Sequence, residues 1–163
     1  MKEYIAMKDG LEYRLNKKER TASVCCDEVY SSTLEEAIIP AVLTVKGVDY
    51  TVNYIPLEGF EWCSNLRKIV IPNTIDRLLR STFEHCLNLE YIEIPSSVKI
   101  FLPNLFYGCK SLKKIVYENL KESNSNTEGF NLNEEVFNGC NPDVILEDRA
   151  TGKEYKIEDL TQL

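Results

Sequence analysis

The residues best suited to chemistry in this sequence are six cysteines and a single histidine. A nucleophilic cysteine needs a neighbouring base, and His85 is the only histidine that could supply one. The cysteines contain no Cys-x-x-Cys pair, which argues against zinc-ribbon and thioredoxin-like sites. A glycine-rich phosphate loop, a G-x-S-x-G elbow and a His-Glu-x-x-His motif are also missing from the sequence. We therefore predict no catalytic residue, no metal site and no cofactor.

Three of the cysteines belong to an internal repeat. Cys63, Cys86 and Cys109 recur at a constant 23-residue step, as do Phe60, Phe83 and Phe106. The same step relates five further columns: Val52, Ile75 and Val98; Ile55, Leu78 and Phe101; Leu66, Leu89 and Leu112; Ile69, Ile92 and Ile115; Ile71, Ile94 and Tyr117. One such unit cannot bury its apolar side alone, so the units must stack.

The local pattern predicts how each unit folds. Ile69 and Ile71 alternate with Val70, which is typical of a short strand that ends at Pro72. Ser81 is placed to cap a single helical turn that directs Phe83 and Cys86 inward. Stacking then produces a parallel sheet beside a row of short helical turns. The cysteine column is expected in the core, because free cysteine packs as a small apolar residue.

A thiol enzyme would have to use Cys25 or Cys86 together with His85. On the predicted helical turn His85 points outward, away from the core position of Cys86. Strand alternation in "TASVCC" directs Cys26 to one face and Cys25 to the other, so Cys25 is expected to be the more exposed thiol. The acidic residues that follow Cys25 disfavour its thiolate form. Catalysis is the weakest of the functional hypotheses.

The repeat divides the chain into three parts. Residues 1–51 are predicted to form β-strands, including a hairpin at Lys46-Gly47. Residues 52–140 hold about three full units and a degenerate fourth, which follows an insertion at 118–131 whose polar stretch 118–129 predicts an exposed loop. Because of this insertion, the step from Phe106 to Phe137 is longer than the earlier ones, and Asp143 stands in place of the leucine. Residues 141–163 are predicted to add a C-terminal β cap, with a strand at "DVILED", a turn at Thr151-Gly152 and the segment "KEYKIEDL" to finish the domain.

The repeat columns resemble those of the BspA-type leucine-rich repeat family, whose units look like A-F-x-x-C-x-x-L-x-x-I-x-I-P-x-x-V-x-x-I. The resemblance is close over 52–117 and loose over 132–140, and the segment before it is similar to the β-hairpin cap that often precedes such repeats. Gly59, Thr82 and Leu105 stand where the family usually has alanine. The resemblance implies an α/β solenoid: a short right-handed array with a parallel sheet, short helical turns and an N-terminal hairpin cap. It also implies a bacterial surface or secreted protein associated with adhesion.

Recognition would have to use side chains that point outward. On the predicted sheet these are Lys68, Val70, Tyr91, Glu93, Lys114 and Val116. Arg67, Glu90 and Lys113 form a parallel row of alternating sign, which favours mutual compensation over ligand binding. Trp62 and Tyr107 are expected in one column on the side of the helical turns, where aromatic residues are typical of interaction sites.

Composition narrows the functional class further. The net charge of −7 disfavours binding to nucleic acid. No apolar run is long enough to insert into a membrane, and the N-terminus has no apolar signal core, so a cytoplasmic location stays open beside the cell surface that the resemblance implies. The leading hypothesis is a non-enzymatic module that binds a protein or glycan, in an oligomeric state that the sequence does not specify. A spacer without a ligand and a thiol-dependent enzyme are the alternatives.

Overall fold

The computed structural model describes residues 4–26, 31–118, 120, 132 and 134–162. The predicted insertion at 118–131 lies outside the described residues except for residues 118 and 120. The strands in the described part of the chain are β1 (Tyr4–Lys8), β2 (Leu11–Asn16), β3 (Thr21–Cys26), β4 (Glu36–Ile38), β5 (Val42–Val45), β6 (Val48–Tyr54), β7 (Lys68–Val70), β8 (Arg77–Leu78), β9 (Tyr91–Ile94), β10 (Ile100–Phe101), β11 (Lys114–Tyr117), β12 (Ile145–Asp148) and β13 (Lys153–Lys156). None of the described helices is long and apolar enough to span a lipid bilayer.

The first sheet is built from the N-terminal strands in the order β1-β2-β3-β6-β5. Two of its connections are two-residue hairpin turns, at Asp9-Gly10 and at Lys46-Gly47, and all four residues have positive φ. Such turns match the twist of the strands that they join. The hairpin predicted at Lys46-Gly47 is therefore present, and its glycine lies at φ +77°.

The second sheet contains the strands of the repeats. Its order is β13-β12-β11-β9-β7-β4, with parallel pairing from β4 through β12 and an antiparallel β13 at the end. The parallel sheet predicted from the repeat is thus formed. It also includes β4, from the segment that we assigned to the N-terminal strands. The sequence carries a signal for this, because Leu34, Ala37, Ile39 and Pro40 repeat the order and spacing of Leu66, Ile69, Ile71 and Pro72.

The repeat columns form one continuous core. Phe60, Phe83, Phe106 and Phe137 pack in series, with successive ring centroids 5.8, 5.7 and 5.9 Å apart. The predicted leucine, isoleucine and valine columns are buried beside them, together with the apolar side chains of the N-terminal sheet. On the far side of each unit, β8 and β10 form a small parallel pair. Solenoid stacking therefore follows from the 23-residue pattern.

The phenylalanine–cysteine segments of the first three units are tight turns, not the predicted helical turns. Ser81 lies at φ +58° and accepts a hydrogen bond from the amide of Glu84, so it does not cap a helix. Alternate amides of each turn donate to the next unit instead of continuing a helix: Phe60 N–H bonds the Thr82 carbonyl at 2.9 Å. Only in the fourth unit does the described chain form a helical segment here, the 3-10 helix Glu134–Phe137.

The C-terminal hairpin is organised around a buried carboxylate. Asp148 is fully buried at the end of β12, opposite Tyr117 of β11. It accepts hydrogen bonds from the Ala150 amide at 3.1 Å and the Thr151 hydroxyl at 2.9 Å. These bonds close the turn into β13, and a 3-10 helix, Ile157–Gln162, follows that strand. The strand and the turn predicted for the C-terminus are present.

Candidate functional site

The structure contains both surfaces on which recognition residues were predicted. We call the first the sheet face: Lys68, Val70, Tyr91, Glu93, Lys114 and Val116. We call the second the turn edge: Trp62, His85 and Tyr107 with the adjacent Glu61 and Glu84. The sheet face is an outward surface of β7, β9 and β11, whereas the turn edge follows the connections between β6 and β7, between β8 and β9 and after β10.

The sheet face has the predicted cross-strand neighbours. Tyr91 pairs with Lys68 on one side and Lys114 on the other, and Glu93 lies in the same way between Val70 and Val116. These rows follow directly from the 23-residue spacing. The spacing does not reveal the hydrogen bonds and ion pairs that these side chains already form within the protein.

Most of the charge on the sheet face is paired within the protein. The Tyr91 hydroxyl donates to Glu93 at 2.8 Å, and Arg149 forms an ion pair with Glu93 at 2.5 Å. Burial raises the pKa of Glu93, but the hydrogen bonds from Arg149 and Tyr91 outweigh burial and leave the pKa below its ordinary value. Lys114 pairs with two glutamates of the C-terminal hairpin, Glu147 and Glu154. The sheet face therefore has little unpaired charge to offer.

The prediction that Val116 is an exposed recognition residue is wrong, since only 4% of its surface is accessible. Arg149 follows β12, and its guanidinium reaches Glu93 on β9, two strands away. To do so it must cross β11, the strand that carries Val116, and both residues line the same small cleft. No local sequence pattern indicates this cover, because Arg149 and Glu93 are 56 residues apart.

On the turn edge, three rings form a continuous contact. The Trp62 indole stacks on the His85 imidazole, with centroids 4.1 Å apart and planes at 25°. The Tyr107 and His85 rings meet edge to face, with centroids 5.6 Å apart and planes at 84°. Trp62 and Tyr107 are therefore linked through His85, and the prediction that they share one column is wrong by one residue. The 23-residue step relates Trp62 to His85 and Gly108 instead.

This corrected column has an unusual backbone. Trp62 and His85 lie at φ +60° and +57°, and the equivalent Gly108 and Gly139 lie at +78° and +67°. A residue with a side chain pays roughly 1–2 kcal/mol for this conformation. A Cβ added to Gly108 would lie only 2.6 Å from Nδ1 of His85, and one added to Gly139 would lie 2.8 Å from the Tyr107 ring. The glycines thus make room for the rings of the preceding turns.

Two carboxylates lie beside the rings of the turn edge. Glu61 is close enough to the Trp62 side chain to interact with it, and Glu84 lies 3.5 Å from Nε2 of His85. Partial burial and the nearby charges of Glu58 and Glu84 raise the pKa of Glu61, despite the interaction with Trp62. Trp62 remains 56% exposed and Tyr107 43% exposed. The turn edge therefore combines accessible aromatic surface with negative potential.

The repeat cysteines are core residues, as predicted. Cys63, Cys86 and Cys109 are completely buried. The thiols of Cys86 and Cys109 each donate to the phenylalanine carbonyl of the preceding unit, at 3.0 Å. Burial raises the pKa of Cys109 to about 12, and that of Cys86 is raised as well for the same reason. These thiols are therefore poor nucleophiles.

The structure does not bring together the thiol and the histidine that the thiol-enzyme alternative would require. The thiol of Cys86 faces the Phe60 carbonyl, while the His85 ring lies on Trp62, outside the core. Cys25 is not the exposed thiol that alternation suggested, because only 9% of it is accessible and its sulfur lies 3.9 Å from a Glu12 carboxylate oxygen. Among the described residues, no group of three or more potential ligands is arranged to hold a metal ion.

Two further open clefts are lined by other sets of residues. One, of about 550 Å³, is at the last unit, and its lining includes Phe137, Gly139 and Lys156. The other, of about 440 Å³, is lined by Glu35, Asn65, Arg67, Asn88 and Glu90. In the second cleft Glu90 pairs with Arg67 at 2.8 Å and with Lys113 at 2.7 Å, as the alternating row predicted.

Comparison with known proteins identifies the repeat. The family described as "BspA type Leucine rich repeat region (6 copies)" matches residues 30–141, more than half of the chain. A search of curated proteins found no significant match. Several solved structures share the fold.

Three of these structures illustrate the likeness, two described as leucine-rich repeat proteins and one as a leucine rich cell surface protein. The one from Bacteroides ovatus is 26% identical with a TM-score of 0.61, and the match covers 88% of this chain but 37% of that one. The one from Bacteroides capillosus is 19% identical with a TM-score of 0.56, and the match covers 88% and 98%. A "leucine rich cell surface protein" from Faecalibacterium prausnitzii is 19% identical with a TM-score of 0.56, and the match covers 92% and 46%.

Proposed function

The chain belongs to the BspA-type leucine-rich repeat family, and on that premise we propose that it is a non-enzymatic interaction module that binds a protein partner at the cell exterior. The location rests on one structural relative that is described as a cell surface protein. A glycan ligand and a spacer without a ligand are the competing possibilities, and a binding experiment on Trp62 separates them.

The observation that carries this proposal is the fixed and exposed position of Trp62. A large aromatic side chain that is 56% accessible leaves apolar surface in water, yet it is held by its stack on His85. Both residues retain backbone conformations that side chains disfavour. A rigid tryptophan loses little conformational freedom when it is covered by a partner, which is why tryptophan is enriched at binding hot spots.

The chemistry around Trp62 favours a cationic side chain on the partner. One face of the indole lies on His85, and carboxylates of Glu61 and Glu84 lie nearby. An arginine or lysine stacked on an indole gains about 0.5–2 kcal/mol, and carboxylates at the rim add attraction. Lys110, three residues after Tyr107, donates to the Gly139 carbonyl. A partner segment rich in arginine fits these features.

The sheet face supplies a second, weaker candidate contact area. Lys68 lies 5.6 Å from the Tyr91 ring centroid, and Val70 lies beside Ile38, which is 64% exposed. Tyr91, Glu93 and Lys114 have partners within the protein. We therefore rank Lys68, Val70 and Ile38 below Trp62 as contact residues.

The binding experiment uses an arginine-rich peptide as the probe and the single tryptophan as the reporter. We expect the peptide to change Trp62 emission, and Trp62→Ala, followed by calorimetry, to weaken binding about 3- to 30-fold, as about 0.5–2 kcal/mol of lost stacking requires. Tyr54→Ala is the matched control, because Tyr54 is 41% exposed on β6. Binding of a neutral oligosaccharide that depends on Trp62 would instead favour a glycan. Peptide binding equal in both variants would remove Trp62 from the site.

The proposal also includes the boundaries between the repeat array and its two caps. We assign residues 1–51 and 141–163 as caps on the array 52–140. The N-terminal sheet meets the first unit where the Cys26 amide donates to the Gly59 carbonyl at 2.7 Å, and its apolar residues enter the shared core. Removal of residues 1–26 should abolish cooperative unfolding in urea, whereas an independent array would keep it.

A further inference from the structure

Two cysteines from different parts of the chain meet in the core. Cys26, at the end of β3, packs against the core that contains Cys63 of the first unit, and the two side chains lie close enough to interact. Their backbones are held together nearby, because the Cys26 amide donates to the Gly59 carbonyl at 2.7 Å. Both cysteines are in the thiol form in the structure. Sequence reasoning placed Cys63 in a column with Cys86 and Cys109 and did not find this neighbour.

The other cysteines near this pair contact groups other than a thiol. The Cys86 thiol donates to the Phe60 carbonyl, and the Cys109 thiol donates to the Phe83 carbonyl. Cys25 adjoins Cys26, but in a strand its side chain points to the opposite face of the sheet, where it meets Glu12. Cys26 is the half-buried member of the pair, whereas Cys63 is fully buried.

We propose that Cys26 and Cys63 are a disulfide-forming pair that cross-links the N-terminal sheet to the first repeat when the protein meets a low-molecular-weight disulfide. The inference does not depend on the proposed partner. It adds a covalent modification site to a protein whose other repeat cysteines are packing residues.

The reaction is a pair of thiol–disulfide exchanges. The Cys26 thiolate attacks one sulfur of the small disulfide, breaks its S–S bond and releases one thiolate. The Cys63 sulfur then attacks the sulfur of Cys26 in the mixed disulfide and releases the second thiolate. The two protons lost by the cysteines go to the two leaving thiolates, so two cysteine thiols are oxidised while one small disulfide is reduced to two thiols.

Accessibility sets the order and the rate of these steps. Cys26 must react first, because it is the accessible member. The second step requires Cys63 as a thiolate, and both its interaction with Cys26 and its burial raise its pKa. Formation of the mixed disulfide removes the Cys26 thiol from that interaction. Cross-linking is therefore expected to be slow, and faster at alkaline pH.

The test treats the native full chain with oxidised glutathione, followed by acid quenching, intact mass and peptide mapping. We expect a product that has lost two hydrogen atoms, that contains a Cys26–Cys63 cross-linked peptide and that returns to the starting mass with dithiothreitol. The matched control is Cys25→Ser, which should still cross-link, whereas Cys26→Ser should not. The cross-linked protein should also unfold at a higher urea concentration than the reduced protein.

Each other outcome overturns the proposal. A Cys25–Cys26 disulfide would show that the vicinal pair reacts in preference. A glutathione adduct on Cys26 that persists at alkaline pH would show that Cys63 cannot reach it. An absence of reaction in the native protein, while the urea-unfolded protein reacts, would show that the pair is closed to small disulfides. Circular dichroism of Cys26→Ser establishes that the variant is folded, so its failure to cross-link can be interpreted.

Discussion

Substitution of Gly108 by alanine tests the geometry of the turn edge most directly. Gly108 lies at φ +78°, and an added Cβ would lie 2.6 Å from Nδ1 and 3.2 Å from Cε1 of His85. Gly47 provides the matched control, since it lies at φ +77° with no atom within 4 Å of its added Cβ. The two substitutions therefore share the backbone cost and differ in the contact with His85.

The expected magnitudes follow from this difference. Gly47→Ala should lower the free energy of unfolding by about 1–2 kcal/mol, the cost of a side chain in the left-handed region. Gly108→Ala should cost about 1–3 kcal/mol more, as an overpacked contact does. The His85 ring can avoid the new methyl group only by moving, and movement disrupts its stack on Trp62. The emission of Trp62, the single tryptophan, should therefore change in Gly108→Ala and stay constant in Gly47→Ala.

Urea unfolding followed by circular dichroism measures both free energies, and tryptophan emission reports the stack. A double-mutant cycle with His85→Ala completes the experiment. In the His85→Ala background, Gly108→Ala should lower the free energy of unfolding by about as much as Gly47→Ala does. If Gly108→Ala costs no more than Gly47→Ala in the wild-type background and leaves the emission unchanged, then the contact with His85 does not constrain the turn.

Two further predictions concern the phenylalanine column in the core and the charged row of Arg67, Glu90 and Lys113. Phe83→Ala should lower the free energy of unfolding by about 3–5 kcal/mol, because this buried ring packs between Phe60 and Phe106. Urea unfolding measures this loss, and a value below about 1 kcal/mol would contradict burial of the column. Hydrogen bonds from Lys113 and Arg67 lower the pKa of Glu90 from its ordinary 4.5, so the stabilisation from these pairs is present above that value and disappears as the pH falls through the lowered pKa. An NMR titration should show the Glu90 pKa rising in Lys113→Gln, and an unchanged midpoint would count against the pairing.

The 23-residue pattern was sufficient to predict the stacking, the parallel sheet and the buried columns. These features depend on residue type at fixed spacing, and each unit repeats the same requirement. The turn conformation was predicted incorrectly, because Ser81 and Glu84 satisfy a helical capping pattern while the amides of Phe83 and His85 bond the next unit. Hydrogen bonds between units are invisible to a pattern that considers one turn at a time.

The candidate site was less predictable for a related reason. Val116 satisfies every sequence criterion for an outward strand residue, but Arg149, which follows β12 and is distant in sequence, reaches across it. The contact between Trp62 and His85 could have been found from the glycines at 108 and 139, since glycine in two members of a column indicates positive φ in the others. The contact between Cys26 and Cys63 joins a strand of the first sheet to a repeat turn, and no sequence spacing relates them.

The hydrogen bonds between units also govern how an array of this kind can change in size. The amides of Phe60 and Phe83 both donate to a carbonyl of the following unit, and the thiols of Cys86 and Cys109 both donate to a phenylalanine carbonyl of the preceding unit. A whole unit added to or removed from the middle of the stack would find every donor and acceptor in place. A short insertion inside a turn would misalign all of them. The length of the turn itself is thus under tight constraint, whereas the number of units is free to vary, and extra residues outside the turn are tolerated, as in the insertion before Phe137.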